Sequence, residues 1–188
     1  MDPTKLLEAD HREVEALFEK IEQAEGADRT PLIDELASSL QAHMELEEQV
    51  LYPAMAPITG QEPIEEGNNE HEVARTSLQE LLGLAPDQPG FGAALEALKA
   101  AITHHVEEEE DDVFPELRSE DGFLEGIVAP FAKLRRELGL PMDAATLADA
   151  STKDELLAEA QAAGVEVTTS MTKAELAEAI MATLPDAS

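Results

Sequence analysis

The chain has no cysteine and no tryptophan, a single tyrosine, and only 12 lysine and arginine residues among 188. Each scarcity excludes a class of function. Without cysteine there are no disulfides, thiolate metal sites or thiol nucleophiles, so any transition metal must be held by histidine and carboxylate. Twelve dispersed cations against 42 acids, a net charge of −30, cannot supply the basic footprint of a nucleic-acid binder, and anionic membrane surfaces are disfavoured for the same reason. No apolar run is long enough to span a bilayer, and the first residues, MDPTKLLEADH, carry charge where a signal peptide would be apolar. A cytoplasmic location is therefore expected. With aromatics at 3%, the core must be built from Leu, Ala, Ile, Val and Met, which favours helix bundles over sheets.

What is present is punctuated by proline and glycine. The spacing predicts a first helix from Pro3 to about Glu25, with Asp2 as N-cap, Gly26 beyond its end, and Leu7, Val14, Leu17, Phe18 and Ile21 as its apolar stripe. A second opens at Thr30-Pro31 and runs through Leu36, Leu40 and Leu51 to Pro53. A third spans about Pro63 to Leu82, with Val73, Leu78, Leu81 and Leu82 as its apolar side. A fourth covers about Gly92 to Arg118, with Leu95, Leu98, Ile102 and Val113 at helical spacing and Pro115 ending or kinking it. Helices of this length on short connections predict an all-α, antiparallel up-down four-helix bundle. A shorter helix, Phe123 to Leu138, split by Pro130, is expected across one end, which completes a domain over 1–138.

Residues 139–150 read as a linker or short extension. The tail, 151–188, holds a small repeat: Thr152-Lys153-Asp154-Glu155-Leu156 recurs as Thr172-Lys173-Ala174-Glu175-Leu176. Each copy is a capping box, so two short helices are expected, separated by Gly164 and an extended stretch from Val165 to Thr169.

The five histidines are the informative residues. His43 and Glu47 are four apart within the apolar stripe of the second helix, and His105 and Glu109 repeat that spacing in the fourth. His11 follows Leu7 by four in the first helix, and His71 precedes Leu78 by seven in the third. Each helix thus aims one histidine at the bundle axis. The segments HMELEEQVLYP and HVEEEEDDVFP align, and the His11–His43 and His71–His105 intervals are 32 and 34 residues. This is the pattern of a duplicated helical hairpin.

One histidine on an apolar stripe is ordinarily a hydrogen-bonded core residue, and His71 alone would read that way. Six such groups in a Leu/Ala core are costly to bury without compensation. A metal removes the cost: imidazole suits Fe, Cu and Zn, and carboxylates one turn on can be shared between two ions. Two irons would also offset the charge of Glu47, Glu109 and any oxo or hydroxo bridge. By contrast, His104 is turned about 100° from His105 and reads as a bundle-edge residue. The acidic run Glu107 to Asp112 reads as a solvated face with only Glu109 inward. Tyr52, the counterpart of Phe114, reads as a packing aromatic rather than a ligand.

The pattern His, His-x-x-x-Glu, His, His-x-x-x-Glu, in the local words DHREVEALF, HMELEEQVLYP, EHEV and HHVEEEEDDVFPEL, resembles the hemerythrin-like cation-binding family over about residues 4–118. The resemblance implies a non-haem di-iron centre reacting with O2, peroxide or nitric oxide, with His11, His43, His71 and His105 as terminal ligands and Glu47 and Glu109 as bridges. Oxygen carriers of that family have a further histidine where this chain has Arg75, and an Asp where it has Glu109. Redox chemistry or sensing is therefore expected over reversible transport. Peroxide disproportionation and a structural zinc site stand as alternatives. The tail resembles the helix–extended–helix modules of the SAP-like and Rho N-terminal type, but it carries 2 Lys against 7 acids. A protein-contact or structural role is expected there rather than nucleic-acid binding.

Overall fold

The computed structural model describes residues 2–140 and 144–183. The linker and tail expected at 139–150 and 151–188 fall partly on 141–143 and 184–188, outside the described residues. Helix α1 (Pro3–Gln23) begins as its sequence dictates: the Asp2 side chain accepts from the Thr4 N–H at 2.9 Å, and Pro3 occupies the first turn, where no N–H is needed. Helix α2 (Arg29–Leu46) starts one residue before Thr30, after a 3-10 turn at Gly26–Asp28, and has no side-chain cap. It passes through a π-helical turn, Glu47–Leu51, into α3 (Tyr52–Thr59). Helix α4 (Glu62–Leu82) follows. Helix α5 (Phe91–Glu108) likewise continues through a π turn, Glu109–Val113, into α6 (Phe114–Ser119).

The hairpins α1/α2 and α4/α5 pack together as the antiparallel bundle. Along α4 the buried stripe is Gly67, His71, Ala74, Leu78 and Leu81. Val73 and Leu82, expected on that side, are instead 56% and 50% exposed, because one residue of rotation carries each off the narrow seam.

Two apolar clusters result. One, including Val14, Leu17, Phe18, Ile21, Leu36, Leu40, Leu78, Leu81, Leu95 and Leu98, fills the end of the bundle nearest the hairpin loops. The other includes Leu6, Leu7, Leu46, Leu51, Tyr52, Met55 and Phe114. On every helix of the bundle the histidine and its neighbours fall between the two.

The second cluster extends beyond the bundle. Helix α7 (Phe123–Glu137) adds Ile127 and Phe131, and runs unbroken through Pro130 rather than being split by it. The stretch read as a linker contains helix α8 (Ala144–Ala150), which contributes Leu147. Helices α9 (Lys153–Ala162) and α10 (Lys173–Met181) open on the two expected capping boxes, Thr152 with Glu155 and Thr172 with Glu175. Their Leu156, Ala160, Leu176, Ala177 and Ile180 are buried in the same cluster as Leu7 and Phe114. The tail is thus joined to the bundle through a shared apolar core. Among the described residues no helix is long and apolar enough to cross a membrane.

Candidate metal centre

The two π turns start at the two central carboxylates. The Tyr52 N–H donates to the Glu47 carbonyl and the Phe114 N–H to the Glu109 carbonyl, five residues back in each case. The cause lies one residue further on. Pro53 and Pro115 have no N–H to give to the carbonyls four residues before them, so the ladder widens by one residue there. Both helices continue past the prolines, which neither end them nor change the side that Glu47 and Glu109 present to the axis.

All six expected residues meet. His11 Nε2 lies 3.1 Å from His43 Nε2, and His71 Nε2 lies 3.2 Å from His105 Nε2. Two atoms that far apart can both sit about 2.1 Å from one ion. Glu47 reaches both pairs, with Oε1 3.0 Å from His43 Nε2 and Oε2 3.2 Å from His71 Nε2. Glu109 does the same, with Oε2 3.6 Å from His11 Nε2 and 3.7 Å from His105 Nε2. The six side chains are buried. They form two overlapping donor groups, His11, His43, Glu47 and Glu109 on one side and Glu47, His71 and His105 on the other. Both oxygens of Glu47 and Oε2 of Glu109 are buried without a hydrogen bond. Buried carboxylate oxygens that meet imidazole nitrogens without making a hydrogen bond are costly, and a cation between the histidine pairs would satisfy them. The donor set therefore fits metal ions.

Outside the histidines stands a ring of carboxylates, one of them from the acidic run expected to face solvent. His11 Nδ1 is 2.8 Å from Glu110 Oε1, His71 Nδ1 is 2.8 Å from Glu48 Oε1, and His105 Nδ1 is 3.0 Å from Glu70 Oε2. His43 Nδ1 is more loosely placed, 3.6 Å from Asp10 Oδ2. A carboxylate behind an imidazole fixes its tautomer and orientation and makes it a better ligand. Besides Glu47 and Glu109, four acids thus face the imidazoles, Glu110 among them despite its place in the acidic run.

The carboxylates are held in turn by cations. Arg12 pairs with Glu110. Arg75 Nη2 donates to Glu48 at 2.8 Å, so the residue standing where carriers have a histidine acts behind His71 rather than as a ligand. Arg135 of α7, fully buried, makes a bidentate pair with Asp10, both contacts 2.6 Å. Glu70 differs: its Oε1 is 3.4 Å from the exposed His104 Nε2.

Tyr52 is more than a packing aromatic. Its ring stacks on His71, and its hydroxyl lies 3.3 Å from both His71 Nε2 and Glu109 Oε1. Phe114 stacks on His11 with no polar atom to offer. Tyr52 fits because residue 67 is glycine: a Cβ there would lie 2.5 Å from the hydroxyl oxygen. The corresponding residue four before His11 is Leu7.

In the metal-free chain the charges are strongly coupled. Burial would lower His43, but Glu47 and Asp10 outweigh it and push the imidazole up to about 10. His105 is likewise pushed up to about 11, with Glu109, Glu47 and Glu70 overcoming burial. Burial favours the neutral form of Glu47, yet His43, His105 and His71 hold it well below the usual range. Glu109 is driven well above that range by burial and then by the charge of Glu47. Two carboxylates at one site do not ionise together. Burial and the same two carboxylates raise Tyr52.

The profile of the family described as hemerythrin HHE cation-binding domain matches residues 2–117. The chain is 26% identical to a DNA nickase of Nostoc sp. over 120 residues, 63% of this chain and 34% of that one. It is 28% identical to an uncharacterized hemerythrin-like protein of Schizosaccharomyces pombe over 110 residues, 56% of this chain and 54% of that one. It thus spans about a third to a half of the length of these curated relatives. The crystal structure of a hemerythrin HHE cation-binding domain-containing protein from Mycobacterium kansasii superposes with a TM-score of 0.64 at 23% identity. That match covers 95% of this chain and 99% of that one, so the shared fold extends past residue 117 to the helices beyond the bundle.

Proposed function

Since the chain belongs to the hemerythrin HHE cation-binding family, we propose that it binds two iron ions through His11, His43, Glu47, His71, His105 and Glu109. In this reading it binds or reacts with O2, peroxide or nitric oxide, as a sensor or a redox-protective protein. The observation that carries the reading is the pair of facing histidine nitrogens on each side of two buried carboxylates, with three of the four carboxylate oxygens lacking hydrogen bonds. Bound iron would supply electron transfer to or from a small ligand at open coordination positions.

The chain's own groups define the rest. Glu110, Glu48 and Glu70 hold the Nδ1 protons of His11, His71 and His105 and so keep their Nε2 atoms directed inward, while Asp10 stands 3.6 Å behind His43 Nδ1. The Tyr52 hydroxyl is a neutral proton donor at the centre, placed to hydrogen-bond Glu109 or a small ligand beside it. A cavity of about 220 Å³ lined by Tyr52, Met55, Gly67, His105 and Glu109 opens to this half. It is small by the standard of organic-substrate pockets, which suits ligands of a few atoms.

The enzyme reading draws on the same cavity, because peroxide must reach the centre and its products must leave. Iron-loaded protein that evolves O2 from peroxide over many turnovers would make it a catalase-like oxidoreductase. Stable ligand binding without turnover, seen as a shifted visible spectrum, would make it a sensor.

A further inference from the structure

His104 and Glu108 form a third His-x-x-x-Glu pair, one residue out of register with His105 and Glu109 and therefore on the outer face of α5. His104 Nε2 is 3.3 Å from Glu108 Oε1 and 3.4 Å from Glu70 Oε1. The three can offer one atom each to a single ion. Glu70 faces both ways, with its other oxygen on His105 Nδ1.

Three of the four carboxylates behind the ligands are neutralised by a guanidinium: Glu110 by Arg12, Glu48 by Arg75 and Asp10 by Arg135. Among the described residues no Lys or Arg pairs with Glu70; beyond His105 it meets His104, 64% exposed, and the Glu108 carboxyl. Two cavities share Glu66 and Glu70 in their walls. The outer is lined by Glu62, Glu65 and His104, the inner by Glu108, Asp112 and Glu116 as well as His105 and Glu109. Neither has a Lys or Arg in its lining. Glu109, buried, with Oε2 lacking a hydrogen bond, lines the inner one. A cleft lined by charge of one sign raises the local concentration of the opposite ion, and these two border a half-exposed donor set and a buried one.

We propose that Glu70, His104 and Glu108 form a peripheral divalent-cation site that captures the metal and passes it through the acidic cavity to the His105/Glu109 side of the centre. One imidazole and two carboxylates suit Fe(II), Mn(II) or Zn(II), and exposure keeps binding weak and exchange fast, as a loading site requires. The destination rests on the proposed function; the site itself does not.

The test uses His104→Gln and Glu108→Gln, neither of which touches the six central residues. Mn2+ binding, followed by loss of the free-ion EPR signal, should show one more cation in the parent chain than in either variant. That difference is readable whatever the centre holds. Stopped-flow Fe2+ uptake by the metal-free variants should slow by roughly tenfold and reach the same final iron content as the parent. Equal Mn2+ counts in parent and variants, or equal uptake rates, would overturn the proposal. Failure of the parent chain itself to retain iron would instead count against the centre.

Discussion

The two hairpins use the same ligand pattern, yet the halves of the centre are not equivalent. In the first, His11 packs against Phe114 and the residue one turn before it is Leu7. In the second, His71 packs against Tyr52, and Gly67 leaves room for its hydroxyl. The first half is closed by apolar groups and anchored by the buried Arg135 of α7. The second half opens to an acidic cavity, and its Glu70 leans on an exposed histidine. The repeat places the same donors in both halves; divergence of the neighbouring positions closes one side with apolar groups and opens the other to the cavity.

The largest effect that would break the comparison is loss of a shared ligand. Glu47→Ala or Glu109→Ala should reduce bound iron from about two to one or fewer per chain, read by metal analysis, with the carboxylates reaching both histidine pairs as the reason. Next is the anchor of the first half. Arg135→Met leaves the buried Asp10 without its bidentate partner and should cost about 3–5 kcal/mol in chemical denaturation, with a smaller loss in the Asp10→Asn/Arg135→Met double variant. Equal losses would mean that the pair itself is not the source of the cost.

Gly67→Ala makes the second half resemble the first at the cost of a clash with Tyr52, about 1–3 kcal/mol. Adding Tyr52→Phe should recover part of it, since the shortest contact is to the hydroxyl. Full stability in the single variant would show that Tyr52 is free to move.

The smallest effect concerns protons. In the metal-free chain His43 and His105 are pushed up to about 10 and about 11, above the unfolded value of about 6.5. Their contribution to stability is then complete below that value and fades as pH rises through 10 and 11. At neutral pH metal must displace these protons, about two per chain from the imidazoles alone. Calorimetric heats that do not change with buffer ionisation enthalpy would contradict this.

The six central residues were legible because a four-residue interval places His and Glu on one helix face whatever else the fold does. The ring behind them was not, because it depends on which helices meet: His11 and Glu110 are 99 positions apart. A signal was nevertheless present in the repeat. Asp10 and Glu70 each precede the lone histidine of their hairpin, and Glu48 and Glu110 each follow the paired glutamate. Aligning the halves one residue beyond the ligands would have exposed all four. Tyr52 packs as expected, but its hydroxyl contacts were not legible, because the room for them is set by an absent side chain at Gly67, which no periodicity reports. The tail's capping boxes were local and therefore readable, whereas the burial of Leu147, Leu156 and Leu176 against the bundle is long-range.

Metal analysis of the chain purified from iron-supplied cells, read with its visible spectrum, tests the central claim most directly. About two irons per chain and a charge-transfer band that shifts with added peroxide or nitric oxide are expected. Fewer than about one iron, unchanged by Glu109→Ala, or zinc in its place, would contradict it.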